Sequence, residues 1–120
     1  MTLESVTEDD WNLTLDINLR GVFFCNKAVT PHLKEKKAGK IINVSSINAL
    51  DGPVGSVAYT AAKAGVAGMT ITVARDLAPK GVRACTIAPG NFETPMLMGA
   101  PAEFLEALRK SVPFPNDRFG

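Results

Sequence analysis

Cysteine and histidine are scarce in this sequence. Two cysteines, Cys25 and Cys85, fall in separate apolar segments, and His32 is the single histidine among 120 residues. Zinc sites and cysteine–histidine nucleophiles require clusters of these residue types, so the sequence offers almost no material for a metal site. We therefore expect two buried, reduced thiols and a cytoplasmic location, or a mitochondrial one in a eukaryote.

Net charge and long apolar runs are lacking as well. The 13 basic and 12 acidic residues leave a net charge of +1, which gives no sign of a nucleic-acid or membrane-surface partner. The opening residues MTLESVTEDD are acidic and lack the apolar core of a secretory signal. We also expect no membrane span, because no apolar run approaches the roughly 18 residues that one needs.

What the sequence does contain is an alternation of helix and strand patterns, with 46% hydrophobic residues. Thr7 and Asp10 form a capping-box pattern at a helix start. The apolar stripe that follows consists of Trp11, Leu15, Val22 and Val29, and Asn18 falls on it. The pattern predicts, in order, a helix over 7–37 bent at Pro31, a strand over 41–44, a loop over 47–56, a helix over 57–77, a strand over 82–88 and a helix over 101–111.

This order of elements predicts an α/β fold. Strands separated by a long helix pair in parallel through a right-handed crossover, as they do in a doubly wound sheet. Parallel sheets are normally covered on both faces, which two strands cannot achieve alone. The chain therefore has the pattern of half of a doubly wound domain.

Polar residues cluster where the predicted strands end. Ser45 and Ser46 close the first strand, and the start of the second long helix carries Tyr59 and Lys63 four residues apart on one face. Ligands bind beyond the carboxyl ends of parallel strands, so we expect these side chains to meet at one edge. An ammonium stabilises a phenolate, and a serine hydroxyl can donate to an oxygen that gains negative charge. Such a group suits the interconversion of an alcohol and a ketone.

Four sequence elements resemble the short-chain dehydrogenases/reductases. Ser46, Tyr59 and Lys63 reproduce the S-x12-Y-x3-K spacing of that family's active site. DINLRG at 16–21 is similar to the element that carries the family's fourth catalytic residue, and IAPGNFET at 87–94 is similar to its nicotinamide-contacting segment. A single short motif is weak evidence, but here all of them occur in the order and spacing of the family.

The resemblance implies a Rossmann-type parallel sheet and a role for each matched residue. Tyr59 would be the general acid/base, and Lys63 would stabilise its phenolate and hold the cofactor ribose. Ser46 would orient the substrate oxygen, and Asn18 would hold a water of a proton relay. Contacts to the cofactor, NAD or else NADP, would come from Tyr59, Lys63, Pro89, Gly90 and Thr94.

Within the family, the stretch from Ala58 to Leu97 and the motif SVPFP at 111–115 most resemble type-2 3-hydroxyacyl-CoA dehydrogenases. Those enzymes oxidise 3-hydroxyacyl-CoA with NAD, which implies an acyl-CoA as the substrate. In the loop before the tyrosine, Pro53 and Ser56 stand where such enzymes tend to carry glutamines. The resemblance also implies a homodimer or homotetramer, formed through the two long helices of the full-length protein.

The Gly-rich turn that receives the cofactor pyrophosphate in relatives does not occur in these 120 residues. We therefore expect residues 1–120 to be the catalytic half of a single domain, without the N-terminal cofactor-binding half and the C-terminal strand. The isolated chain is then expected to be inactive. The alternative is a truncated, inactive helix-pairing module that oligomerises without turnover.

Several residues also have a purely structural interpretation. Asn18 can satisfy a backbone group, Ser45 competes with Ser46 for the role at the strand end, and Thr94 can cap the turn before Pro95. Met96, Leu97 and Met98 can be packing residues or can line a lid over an acyl chain. Each of the first set taken alone favours the structural interpretation, whereas their joint spacing in the family pattern favours the functional one. For Met96, Leu97 and Met98 the two interpretations stay open.

Overall fold

The structure, a computed structural model, describes residues 1–113 and 118–120. The chain divides into a first unit over Met1–Ala88 and a second over Pro89–Gly120. The first unit contains α1 (Glu8–Leu15), a π-helix (Asp16–Arg20), α2 (Gly21–Lys36), β1 (Gly39–Val44), α3 (Asn48–Asp51), α4 (Val57–Leu77), a 3₁₀ turn (Ala78–Lys80) and β2 (Val82–Ile87). The second contains α5 (Pro95–Met98) and α6 (Ala102–Ser111), and residues 114 and 115 of the SVPFP motif lie outside the described part.

The capping box at the first helix is confirmed. The Thr7 hydroxyl accepts from the Asp10 backbone N–H at 3.1 Å, and the Asp10 carboxylate accepts from the Thr7 backbone N–H at 3.3 Å. That carboxylate also accepts from the Thr7 hydroxyl at 2.6 Å. These bonds favour the charged carboxylate, so the Thr7 contacts hold the pKa of Asp10 below its ordinary value.

The predicted unbroken helix over 7–37 is wrong in its middle, because residues 16–20 form a π-helix. The Gly21 backbone N–H donates to the Asp16 carbonyl across this wider turn. Because the π-turn contains one more residue than an α-helical turn, the following helix is rotated about its axis. Asn26 therefore faces the core, where Val29 was expected. Val29 is 44% exposed and Asn26 only 6%.

The two strands pair in parallel, which confirms the predicted α/β fold with a parallel sheet. The register runs from Gly39 opposite Val82 to Val44 opposite Ile87. α4 connects the strands with the predicted bounds, 57–77, and contacts both of them. Ile41, Leu77 and Val82 form the buried cluster between sheet and helices, with Leu33, Val73 and Ala84 packed against it.

The two faces of this sheet have different environments. Successive strand residues point to opposite faces, and Ile41 is 7% exposed whereas its neighbour Ile42 is 59% exposed. Cys85 points to the same open face, so the expectation that it is buried is wrong. Cys25 is also exposed, because it lies on the outer side of α2, and both cysteines are free thiols.

The predicted loop over 47–56 contains one turn of helix, α3, which the Gly- and Pro-rich pattern did not indicate. The Ser46 hydroxyl accepts from the Asn48 backbone N–H at 3.2 Å and so satisfies a donor at the start of this turn. Gly52 ends it with φ +58°, a left-handed conformation that glycine adopts without strain. The rest of the segment is irregular, as expected.

In the part of the chain that the structure describes, one helical stretch, 57–80, has the length and composition of a membrane-crossing helix. The expectation that the chain has no membrane span stays a prediction, because this stretch meets the test by length and composition only. Lys63 interrupts the apolar run in the sequence but does not reduce its average hydropathy enough to exclude it. A helix that packs on a sheet in a protein core meets the same criteria, and α4 packs on both strands.

The second unit contains the predicted amphipathic helix as α6, with Leu105 as its buried residue. Phe119 is 6% exposed, and the Arg109 guanidinium lies 5.2 Å from its ring centroid. Backbone hydrogen bonds join the chain end to the segment before α5, because Gly120 donates to the Asn91 carbonyl at 3.1 Å. The Arg109–Phe119 contact and these backbone bonds thus connect the end of the chain with the rest of the unit.

Candidate active site

The start of α4 presents its two long polar side chains beside each other. Ala58 and Ala62 are 4% and 0% exposed, and they turn one face of the helix toward the core. Tyr59 and Lys63 follow these alanines by one position each and are therefore half-buried at the edge of that face. The Lys63 ammonium nitrogen lies 5.6 Å from the centre of the Tyr59 ring, as the four-residue spacing predicted.

Lys63 also reaches the carboxyl end of β1. Its ammonium donates to the carbonyl of Val44, the last residue of that strand, at 3.2 Å. Partial burial disfavours the charged form and lowers the pKa of Lys63 below its ordinary value. The predicted meeting of the helix start with the strand end is thus observed for this residue.

The two serines at the end of β1 have different environments. Ser45 is 4% exposed, and its hydroxyl donates to the Lys63 backbone carbonyl at 2.7 Å. Ser46 is half-buried and accepts from the Asn48 N–H, which leaves its own hydroxyl proton available for another acceptor. Of the two, Ser46 is therefore the residue that can donate to a substrate oxygen.

Asn18 lies in the middle of the π-helix and is half-buried. Its side-chain amide donates to the Thr14 carbonyl at 3.1 Å, which is the backbone-satisfying role considered as the structural alternative. Thr14 and Tyr59 both line a cavity of about 90 Å³, together with Met1, Val6 and residues 55–58. Among the described residues, no hydrogen bond joins Asn18 or Ser46 directly to Tyr59.

The three remaining predicted cofactor-binding residues, Pro89, Gly90 and Thr94, belong to the second unit. Pro89 and Gly90 follow β2 in irregular chain. The Thr94 hydroxyl accepts from the Leu97 backbone N–H at 3.2 Å and caps α5, so its structural interpretation is observed. Met96 is 89% exposed within this unit and is not a packing residue there.

A buried polar chain behind the site was missed by sequence reasoning. The Asn26 amide donates to the Asn43 side-chain oxygen at 3.1 Å, and the Asn43 amide donates to the Thr70 hydroxyl at 2.9 Å. The Thr70 hydroxyl donates in turn to the Val66 carbonyl at 2.7 Å. These bonds connect α2, β1 and α4, and the only signal for them was an asparagine within the otherwise apolar IINV run. Within the described residues, no group of three or more His, Cys, Asp or Glu could hold a metal ion.

Comparison with known proteins gives a consistent set of relatives. The family model for short chain dehydrogenase matches residues 1–103. Human 3-hydroxyacyl-CoA dehydrogenase type-2 is 42% identical over 116 residues, which are 92% of this chain and 44% of the human protein. A 3-oxoacyl-acyl-carrier-protein reductase of Thermotoga maritima is 39% identical, over 98% of this chain and 47% of the reductase.

A solved structure agrees with these relatives. The crystal structure of 3-hydroxyacyl-CoA dehydrogenase type-2 from Mycobacterium avium superposes with a TM-score of 0.86 at 35% sequence identity. The match covers 96% of this chain and 46% of that one. The chain therefore spans slightly less than half the length of the curated relatives it matches.

Proposed function

Because this chain belongs to the short-chain dehydrogenase family, we propose that it supplies the proton-transfer residues of an oxidoreductase that interconverts a secondary alcohol and a ketone. One observation carries the proposal. The Lys63 ammonium stands 5.6 Å from the Tyr59 ring centre and 3.2 Å from the carbonyl that ends β1. A phenol and an ammonium are thus held beside the strand end, where ligands of parallel sheets bind.

Each residue has a defined task in this proposal. Tyr59 takes the proton of the substrate hydroxyl when the alcohol is oxidised and returns it when the ketone is reduced. Lys63 stabilises the phenolate by its positive charge, and Ser46 donates its hydroxyl proton to the same substrate oxygen. Asn18 holds a water that connects the site to solvent, and the wider π-turn sets the position of its backbone.

Lys63 also fits a nicotinamide dinucleotide. An ammonium has three donors, and the described residues provide one acceptor for it, the Val44 carbonyl, so two donors are available for ribose hydroxyls. A bound nicotinamide would supply the hydride transfer to or from the alcohol carbon. We propose NAD, with NADP as the alternative, and further contacts from Pro89, Gly90 and Thr94.

The proposed substrate is a 3-hydroxyacyl-CoA, which belongs to fatty-acid metabolism. Two of the relatives described above are named for 3-hydroxyacyl-CoA and the third for a 3-oxoacyl group on acyl-carrier protein. All three names place the reacting oxygen on the third carbon of an acyl chain. The exposed methionine Met96 then serves as an apolar contact for that chain.

We further propose that residues 1–120 form the catalytic half of one domain. The open sheet face carries Ile42, Val44 and Ile87, each 48–59% exposed, which the remainder of the domain would cover.

We also propose that the protein self-associates through α2 and α4, and that it is located in the cytoplasm or a mitochondrion. An added Cβ at Gly68 would meet nothing within 4 Å, whereas one at Gly65 would meet the Leu19 side chain at 2.9 Å, so Gly68 leaves room for a second copy.

The test is turnover by the purified native gene product. With 3-hydroxyacyl-CoA and NAD we expect formation of NADH, and we expect Tyr59→Phe to lower kcat by about 10²- to 10⁴-fold because the acid/base group is lost. Replacing the substrate by 3-oxoacyl-acyl-carrier protein with NADPH compares the two acyl carriers. Wild-type turnover by Tyr59→Phe would overturn the proposed mechanism.

The competing proposal is a helix-pairing module without turnover. It is favoured by the open position at Gly68 and by the exposed aromatic side chains of α2, Phe23 and Phe24. The intact mass of the protein from its native source separates the two. A mass near 12.7 kDa supports the module, and about twice that mass supports the dehydrogenase.

A further inference from the structure

The side chain of Ser45 has no task in the proposed reaction, yet it is one of the most firmly held groups near the site. It is 4% exposed. Its backbone N–H donates to the Ile87 carbonyl at 2.8 Å, which continues the parallel ladder past the end of β1. Its hydroxyl donates across to α4, at 2.7 Å from the Lys63 carbonyl oxygen. Ser45 therefore connects β1, β2 and α4.

Two consecutive residues, Val44 and Ser45, bind Lys63, one at its side-chain ammonium and the other at its backbone carbonyl. Ser46, which donates to the substrate oxygen in the proposed reaction, is the next residue. Residues 44–46 therefore set the distance between the Lys63 ammonium and the Ser46 hydroxyl.

The Ser45 bond is not needed to satisfy the carbonyl that it reaches. Lys63 lies inside α4, where its carbonyl already accepts from the backbone N–H four residues later. Other hydroxyls of this chain find acceptors within their own helix, since Thr30 donates to the Asn26 carbonyl and Thr70 to the Val66 carbonyl. Ser45 instead joins two elements at the residue that carries the ammonium.

We infer that Ser45 is a positioning residue, which fixes the backbone of Lys63 relative to Ser46 and keeps the ammonium partly shielded beside Tyr59. The inference rests on the proposed function, because positioning matters for turnover only if Lys63 acts in the reaction. Its structural part can be measured without turnover, through the titration of the Lys63 amine.

The test uses Ser45→Ala in the native gene product, with Thr70→Val as the matched control. Both variants remove a buried hydroxyl that joins β1 to α4, but Thr70 lies two helical turns from Lys63. The reactivity of the Lys63 amine toward an acylating reagent is measured against pH by mass spectrometry, with exposed Lys36 as the internal reference. Turnover and KM for the acyl substrate are measured on the same samples.

Ser45→Ala should move the titration of Lys63 upward, because the backbone that carries the ammonium is no longer fixed and the ammonium gains solvent. It should also lower kcat by about tenfold, equivalent to about 1.4 kcal/mol, with KM unchanged. Thr70→Val should lower the unfolding midpoint and leave the Lys63 titration at its wild-type position. Ser45→Thr keeps the hydroxyl and should restore the wild-type titration.

Three results would overturn the inference. They are an unchanged Lys63 titration in Ser45→Ala, an equal shift in Thr70→Val, and a titration that Ser45→Thr does not restore. The last would mean that the volume at this position matters and the hydrogen bond does not. A shifted titration with unchanged kcat supports the positioning of Lys63 and instead contradicts its proposed role in the reaction.

Discussion

The first and second halves of α4 bind β1 and the residue after it through similar hydrogen bonds, but they differ in what they expose. At the amino-terminal end, Ser45 holds the Lys63 backbone while the side chains of Tyr59 and Lys63 stay half-exposed. At the other end, Asn43 holds the Thr70 hydroxyl, and both side chains are buried, at 6% and 3% exposure. The section of α4 around Thr70 is therefore buried and stabilises the fold. The section around Lys63 packs on the same sheet but leaves its long polar side chains partly exposed to solvent.

This comparison indicates why the first turns of α4 can carry the half-buried polar side chains of Tyr59 and Lys63. The core section supplies the packing through fully buried residues such as Val66, and the polar bonds around Thr70 are satisfied. The first turns of α4 contribute two buried alanines, Ala58 and Ala62, which fix the helix against the core without occupying the edge. Changes at the two ends should consequently separate into effects on activity and effects on stability.

After Tyr59→Phe, the largest effect on turnover is expected from Lys63→Ala. Loss of the ammonium removes the positive charge beside Tyr59, and we expect kcat to fall by about 10²-fold, the magnitude typical of losing one electrostatic stabiliser. The unfolding midpoint should change little, because the side chain is half-exposed. Steady-state kinetics of the native gene product with and without added alkylamines measures this. We expect added alkylamines to restore part of the lost turnover of Lys63→Ala. Wild-type turnover of this variant without amines would show that Lys63 has no role in the reaction.

Thr70→Val should have the opposite profile. The variant leaves the Asn43 amide buried without its acceptor, which costs about 1–3 kcal/mol of unfolding free energy. Urea unfolding of the variant and the wild type gives this difference. Turnover per folded molecule should remain at the wild-type level. A loss of turnover larger than the loss of folded protein would show that the two sections of α4 are not independent.

The smallest effects are expected where α4 approaches the π-helix. In Gly65→Ala the new methyl group would stand 2.9 Å from the Leu19 side chain, so an overpacking cost of about 1 kcal/mol should offset the gain in helix propensity. Gly68→Ala is the matched control, because its methyl group meets nothing within 4 Å and alanine favours a helix by about 0.8–1 kcal/mol over glycine. Thermal unfolding of the monomeric chain should show a raised midpoint for Gly68→Ala and little change for Gly65→Ala. In the self-associated protein the proposed packing of a second copy at Gly68 should reverse this sign and make Gly68→Ala destabilising.

The sequence predicted the elements whose periodicity is regular. α4, the parallel pairing of the strands and the neighbouring positions of Tyr59 and Lys63 follow from patterns of 3.6 and of 2 residues, and the structure confirms them. Family motifs added roles for Ser46 and Asn18, which stay predictions. The spacing to Tyr59 selected Ser46 over Ser45, and the structure adds that Ser45 is buried whereas Ser46 is half-buried.

The errors have a common physical origin in long-range contacts. No local pattern indicated the π-helix at 16–20, so the helix after it was assigned the wrong inward face. Asn26 and Asn43 are buried because they bond to each other and to Thr70, and polar residues with such partners do not look like core residues in a sequence. Cys85 was expected to be buried from its apolar neighbours, although the two-strand pattern itself predicts a sheet with an uncovered face.

The central claim is that the amino-terminal end of α4 performs the chemistry while the other end holds the fold. It is tested most directly by measuring turnover and urea unfolding together for Tyr59→Phe and Thr70→Val in the native gene product. We predict that Tyr59→Phe loses turnover at wild-type stability and that Thr70→Val loses stability at wild-type turnover. Equal turnover in both variants, or equal loss of stability in both, would contradict the account.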